Sequence, residues 1–260
     1  MPTPRIALVI PAWNEAESIG AVLTEVPPDV VHHVFVVTGD STDDTAEIAT
    51  DLGAIALPQE RPGYGAACWA GVGAAVDSGA EIVAFLDGDY ADPPAELPRV
   101  LAPLLTGRAD IVLGQRDLSQ NPEAQRLHAR FGNWLVLTML SLLLRRRLHD
   151  LPSFKAIRLD CLERLAMSEM TYGWTTEFVV KAVRARLRIT EVPIGYRPRL
   201  AGQSKVSGTV RGTVGAAWKL TTCALRYARW HPSNSPVLNV TRSTESAAHV
   251  PAAGYDSAQD

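Results

Sequence analysis

Over the first 115 residues, short apolar runs alternate with longer stretches of helical spacing. Ile6–Ile10, Val34–Val37, Ala54–Leu57, Ile82–Leu86 and Ile111–Leu113 are brief, apolar and mostly β-branched, which predicts strands. Between them, Glu15–Val26, Thr42–Leu52, Tyr64–Ser78 and Pro94–Leu105 carry a helical period. Ser41-Thr42-Asp43-Asp44 supplies cap residues and first-turn acids, and Pro93-Pro94 suits a helix opening. Strands that are apolar throughout and separated by helices predict a parallel sheet covered on both faces. Ligands of such sheets bind beyond the carboxyl ends of the strands. Pro11–Glu15, Thr38–Ser41 and Asp87–Asp89 lie there, and all three are polar or acidic.

Past residue 115 the alternation stops. A long helix is predicted from about Glu123 to Arg147, then an irregular segment over Asp150–Ala156. Helices at Leu159–Ala166 and Thr175–Arg186, a strand at Ile189–Pro193 and a last helix from Gly208 to about Arg229 follow. From His231 onward Pro, Ser, Thr, Asn and Ala dominate without periodicity, which predicts a disordered tail over 231–260. Residues 1–230 are enough for one large α/β domain.

Composition narrows the class. The chain of 260 residues is 47% hydrophobic and 20% charged, the balance of a soluble globular protein. A formal net charge of −3 argues against a nucleic-acid partner. Cys68, Cys161 and Cys223 lie far apart with no CxxC spacing, which argues against structural zinc or a disulfide framework and for a reducing cytosol. The longest apolar run, Trp134–Leu144, ends at Arg145-Arg146-Arg147 and falls short of the roughly 18 residues a spanning helix needs.

The chemistry centres on Leu86-Asp87-Gly88-Asp89. Side chains two apart on extended backbone point the same way, so Asp87 and Asp89 can share one hard cation. Mg²⁺ or Mn²⁺ favours such oxygens and leaves positions for phosphates. An ordinary acidic turn is the competing reading. Pro11-Ala12-Trp13-Asn14-Glu15 and Thr38-Gly39-Asp40-Ser41 each leave a strand and open a helix, so backbone N–H groups face the same place.

The order of motifs resembles the family 2 inverting glycosyltransferases with a GT-A fold. It rests on Pro11–Glu15, Asp40-Ser41-Thr42-Asp43-Asp44-Thr45, Arg61-Pro62-Gly63-Tyr64-Gly65-Ala66-Ala67, Asp87–Asp89 and Gly114-Gln115-Arg116. Asp150–Ala156, Trp174–Glu177, Val192–Arg199 and Gly202-Gln203-Ser204-Lys205 resemble the polyprenyl-phosphate sugar synthase branch. The resemblance implies a Rossmann-like, mostly parallel sheet flanked by helices, with a helical C-terminal extension. It implies a nucleotide-sugar half over 1–116 and an acceptor half over 117–230. Pro11, Ala12, Asn14, Glu15, Asp40, Gly65, Gly88, Arg199 and Lys205 would border a GDP- or UDP-linked donor, with Asp87 and Asp89 on metal and diphosphate. The family usually has Asp-Asp-Gly-Ser where this chain has Thr38-Gly39-Asp40-Ser41, and tyrosine where it has Trp13, which leaves the base open.

Metal-dependent transfer needs charge offset on the leaving diphosphate. A sugar-hydroxyl acceptor needs a base, for which Glu177 is the candidate. A lipid-phosphate acceptor is already an anion and needs cations instead, from among Arg116, Arg126, Arg130, Lys155, Arg197, Arg199 and Lys205. The catalytic set is therefore Asp89, Arg116 and Glu177. On the last helix Arg211, Lys219, Arg226 and Arg229 share one sector, opposite Val214, Ala217, Leu220, Thr221, Ala224 and Leu225. With the Trp134–Leu144 run and its arginines, this predicts peripheral association at the inner face of a membrane. A soluble transferase for a small hydroxyl acceptor and a non-catalytic nucleotide-sugar-binding protein remain as alternatives. A nicotinamide dehydrogenase does not, since no Gly-x-Gly-x-x-Gly follows the first strand.

Overall fold

The computed structural model describes residues 3–119, 121, 127–201 and 210–232. Seven strands form one sheet in the order β3-β2-β1-β4-β6-β5-β7. β1 (Ile6–Pro11), β2 (His33–Val37), β3 (Ile55–Leu57) and β4 (Ile82–Phe85) are mutually parallel. They alternate with α1 (Ala16–Glu25), α2 (Thr45–Asp51) and α3 (Tyr64–Asp77), as the apolar pattern predicts. The Pro94–Leu105 stretch divides into a 3-10 turn (Pro94–Glu96) and α4 (Leu97–Leu105).

β5 (Ile111–Asp117) and β7 (Ile189–Gly195) are also parallel to each other. The departure is β6 (Lys155–Arg158), which begins inside the segment expected to be irregular. It runs antiparallel between β4 and β5, placing Ala156 between Ala84 and Val112. The sheet is thus mixed, and β6 carries the chain's middle back into its centre.

Alternation along each strand fills both faces. Ala7, Val9, Val83 and Phe85 pack against α3, α5 (Leu127–Leu144), α6 (Leu159–Leu165) and α7 (Trp174–Arg184). Ile6, Leu8, Ile10, Ala84 and Leu86 pack against α1, α2 and α4. α8 (Val210–Tyr227) lies on α5 and α7, burying Cys223 and Ala224. The expected start of α5 at Glu123, the Gly202–Lys205 motif and the tail from 233 onward lie outside the described residues.

β2 and β3 lie on one side of β1, and β4 with the later strands lies on the other. The chain therefore reverses direction across the sheet between β1 and β4, where a crevice opens at the strands' carboxyl ends.

Candidate active site

A cavity of about 540 Å³ occupies that crevice. Its lining includes Pro11, Ala12, Trp13 and Glu15 after β1, Val37 and Asp40 at β2, and Asp87, Gly88 and Asp89 after β4. Position 88 accepts only glycine without a shift, because a Cβ there would lie 2.9 Å from Ala12 Cβ. The two carboxylates reach one cavity because the turn after β4 lies flat against the turn after β1.

The loops after β1 and β2 hold each other. Asn14, in the left-handed region at φ 51, accepts through Oδ1 from Thr42 N at 2.8 Å. Asp43 Oδ2 accepts from Ala16 N at 3.1 Å, so the expected cap acid serves the first turn of α1 as well as Thr45 N in its own helix. Asn14 is thereby a loop clamp and is not among the lining residues.

Asp89 is buried, with Oδ1 accepting from Ala91 N at 2.9 Å and Oδ2 lying 2.7 Å from Arg199. Asp87 Oδ1 is buried without a hydrogen-bond partner, and so is the Tyr64 hydroxyl near it. Burial, then the Asp89 charge, pushes the Asp87 carboxyl up to about 6, against the pull of Lys155. An orphaned buried oxygen costs about 1–3 kcal/mol, and a hard divalent cation would satisfy it. The donor set fits Mg²⁺ or Mn²⁺: two carboxylates at a cavity wall, with the other positions open to phosphate and water. Among the described residues no cluster of three or more His, Cys, Asp or Glu forms a fuller cage.

Beneath the acids lies Lys155, fully buried. Its Nζ donates to Pro152 O, Ser153 O and Thr175 Oγ1 at 3.2, 3.2 and 3.3 Å, and lies 5.5 Å from the Phe85 ring centre. Burial pulls its ammonium below the ordinary lysine value. It is a fixed charge under the floor and does not line the cavity.

Arg116 does line it. The guanidinium donates from Nε and Nη2 to the Asp150 carboxylate, both at 2.6 Å, and lies 5.1 Å from the Tyr196 ring centre. Burial opposes its charge, but Asp150 outweighs that and holds it protonated well above the usual range. Ser153, also in the lining, donates to Asp92 Oδ2 at 2.7 Å. Burial lifts the Asp92 carboxyl to about 7.

Other expected site residues lie elsewhere. Arg197 pairs bidentately with Glu25 at 2.7 and 2.8 Å and lines a separate hollow. Arg130 is exposed and outside the lining, and Arg126 and Lys205 lie outside the described residues. Gly65 packs on the backbone of 169–170, where a Cβ would fall 2.3 Å from Glu169 O, and so seats the segment carrying Tyr172, Thr175 and Thr176 into the cavity.

Glu177 is the main correction. It is fully buried and off the cavity wall. Its carboxylate accepts from Ser168 N, Ser168 Oγ and Glu169 N at 2.7–3.1 Å and meets Lys181 Nζ at 2.6 Å. Lys181 Nζ in turn donates to Ala166 O at 2.6 Å and faces the rings of Tyr227 and Trp230. A carboxylate saturated in this way clamps the α6–α7 connection to α7. Sequence reasoning also does not reach Gln59 or Tyr172, both in the lining. For Gln59 the available signal is its position just beyond a strand's carboxyl end.

A family model described as glycosyl transferase family 2 matches residues 7–165. An uncharacterised glycosyltransferase of Mycobacterium tuberculosis is 37% identical over 222 residues, spanning 83% of this chain and 97% of that protein. A dolichyl-phosphate hexose transferase of Haloferax volcanii is 32% identical over 203 residues, spanning 77% of this chain and 86% of that protein. Among solved structures, glucosyl-3-phosphoglycerate synthase from Mycobacterium tuberculosis, in complex with Mn²⁺, UDP and glucosyl-3-phosphoglycerate, is 25% identical with a TM-score of 0.70. That likeness covers 86% of this chain and 80% of that one.

Proposed function

The chain belongs to glycosyl transferase family 2, and from that premise we propose that it transfers a hexose, with inversion, from a nucleoside diphosphate to a polyprenyl or dolichyl phosphate. The observation that carries this reading is the convergence of Asp87, Asp89, Arg116 and Arg199 on one cavity large enough for a nucleotide sugar.

Asp87 and Asp89 would hold Mg²⁺ or Mn²⁺, which when bound offsets charge on the leaving diphosphate. Arg199, beside Asp89, lies where it can contact a diphosphate oxygen. Arg116 keeps its charge through Asp150 and lines the cavity. A phosphate acceptor is an anion at neutral pH and needs such a cation to orient it.

The engagement of Glu177 favours a phosphate over a hydroxyl acceptor. A hydroxyl needs a free carboxylate base, and among the described residues the carboxylates in the lining are Glu15, Asp40, Asp87 and Asp89. The last two are assigned to the metal. Incubation with labelled UDP- or GDP-hexoses and a polyprenyl phosphate tests the proposal. Label passing into the organic phase supports it, and label found only in water-soluble products rejects the lipid acceptor.

A lipid acceptor suits a protein resting on a membrane. No helix among the described residues is long and apolar enough to cross one. α5 and α8, which pack together, expose Phe131, Trp134, Leu142 and Trp218, while Lys219 and Arg229 on or beside α8 are exposed. Aromatic and basic groups on adjacent helices are the chemistry of an anionic interface. Leu225, expected opposite the basic sector, is exposed as well.

A further inference from the structure

The cavity is polarised along the sheet. Toward β4 and β5 it presents Asp87 and Asp89 with the two lining arginines, Arg116 and Arg199; toward β2 and β3 it presents Asp40 and Gln59. Phosphates belong at the end that carries the two arginines and the Asp87–Asp89 pair, so the nucleoside of a bound donor extends across β1 toward β2 and β3. That distance is about two strand spacings, roughly 10 Å, which suits a ribose and base.

Gln59 is fixed at that far end. Its Nε2 donates to Arg61 O and to Gly63 O, the latter at 2.8 Å, so both amide hydrogens are committed. Oε1 is left as an acceptor only. That oxygen stands over Gly39: a Cβ on residue 39 would lie 2.8 Å from it, and Gly39 has φ +60, a backbone that disfavours side chains. Two features therefore exclude a side chain just past β2, and the Gln59 amide oxygen occupies its place beside the cavity.

We propose that Gln59 Oε1 reads the nucleobase by accepting a hydrogen bond from a ring N–H. Uracil (N3–H) and guanine (N1–H) offer one. Cytosine and adenine turn a ring-nitrogen lone pair to that position and reach Oε1 only by shifting to present their exocyclic amine. The site thus prefers uracil or guanine nucleotides to their size-matched partners, through a neutral amide. This rests on the cavity being a nucleotide-sugar site.

The test is calorimetric titration of the full chain, with Mn²⁺ present, by UDP, CDP, GDP and ADP. The wild type should prefer UDP over CDP, or GDP over ADP, by about tenfold, the worth of one hydrogen bond made against one lost. Which pair binds more tightly assigns the base. Gln59→Leu should bring the preferred pair to within about threefold. Because the ratio is taken within one variant, it does not depend on the fraction folded; should Gln59→Leu fail to fold, Gln59→Asn withdraws the amide by one methylene and should flatten the ratio likewise. An unchanged ratio in these variants, a wild type indifferent within both pairs, or a preference lost on Asp40→Ala but kept on Gln59→Leu overturns the assignment. Absence of any nucleotide binding overturns the proposed function together with it.

Discussion

The Arg199 guanidinium lies 2.7 Å from Asp89 Oδ2, on the carboxylate that would face a metal ion. Asp89 is buried, so a counter-charge is needed when no cation is present, and Arg199 supplies it. The segment carrying Arg199 is tied down on both sides, by Leu200 N to Asp89 O and Arg197 N to Ala91 O at 3.3 and 2.9 Å. Arg199 and a divalent ion therefore compete for one oxygen, while a diphosphate can satisfy both. Arg199→Gln should bind Mn²⁺ alone more tightly than the wild type, read by electron paramagnetic resonance without nucleotide. The same variant should lose about a hundredfold in transfer rate, the usual loss for one donor to a charged transition state. Weaker Mn²⁺ binding would show that Arg199 supports the metal and does not compete with it.

Glu177 gives a prediction that separates structure from catalysis. Removing one partner of the buried Glu177–Lys181 pair leaves an uncompensated ammonium and costs about 3–5 kcal/mol. Glu177→Gln should lower Tm by about 10 °C, with kcat per folded molecule near the wild-type value. A variant with unchanged Tm and no activity would return Glu177 to the catalytic set.

The raised carboxyls set the response to pH. Asp87 ionises at about 6 in the folded chain against an ordinary 3.8, held up first by burial and then by Asp89, while Lys155 and Arg199 oppose the shift. Between about pH 4 and about pH 6 the folded chain keeps a proton that the unfolded chain releases, so metal-free stability falls as pH rises through that window. Asp92, lifted to about 7, acts with the same sign. Mn²⁺ affinity should move the other way, rising with pH as the competing proton leaves. Chemical denaturation across this range should show Asp87→Asn losing part of the pH slope. A slope identical to that of the wild type contradicts the assignment.

The parallel half of the sheet was legible because β1 and β4, its central strands, are apolar and buried on both faces. β6 was not, since Lys155 and Arg158 at its ends read as surface. What makes Lys155 a core residue is three acceptors that only the fold assembles. The Asp87–Asp89 pair could be placed from local spacing alone, because one strand and one turn determine it. Arg116 and Asp150 are 34 residues apart, and Glu177 meets Ser168 across a helix connection. Neither partnership leaves a local signal, so Arg116 is recognisable only by its motif and the clamp around Glu177 is not recognisable at all.

Association with membranes follows from the apolar surface of α5 and α8. Trp134 and Trp218 are 58% and 71% exposed, so replacing them should cost the fold little. Wild-type protein should co-sediment with phosphatidylglycerol vesicles at low salt, and Trp134→Glu with Trp218→Glu should weaken that by about tenfold at unchanged Tm. Failure of the wild type to bind would remove the membrane from the account.

The most direct test of the whole account is calorimetric binding of UDP and GDP to wild type and Asp87→Asn, each with Mn²⁺ and with EDTA. The account predicts binding by wild type with Mn²⁺ only, and a loss of about a hundredfold or more in a folded Asp87→Asn protein. Equal binding in EDTA, or full binding by Asp87→Asn with Mn²⁺, would contradict a donor held through a metal at these two carboxylates.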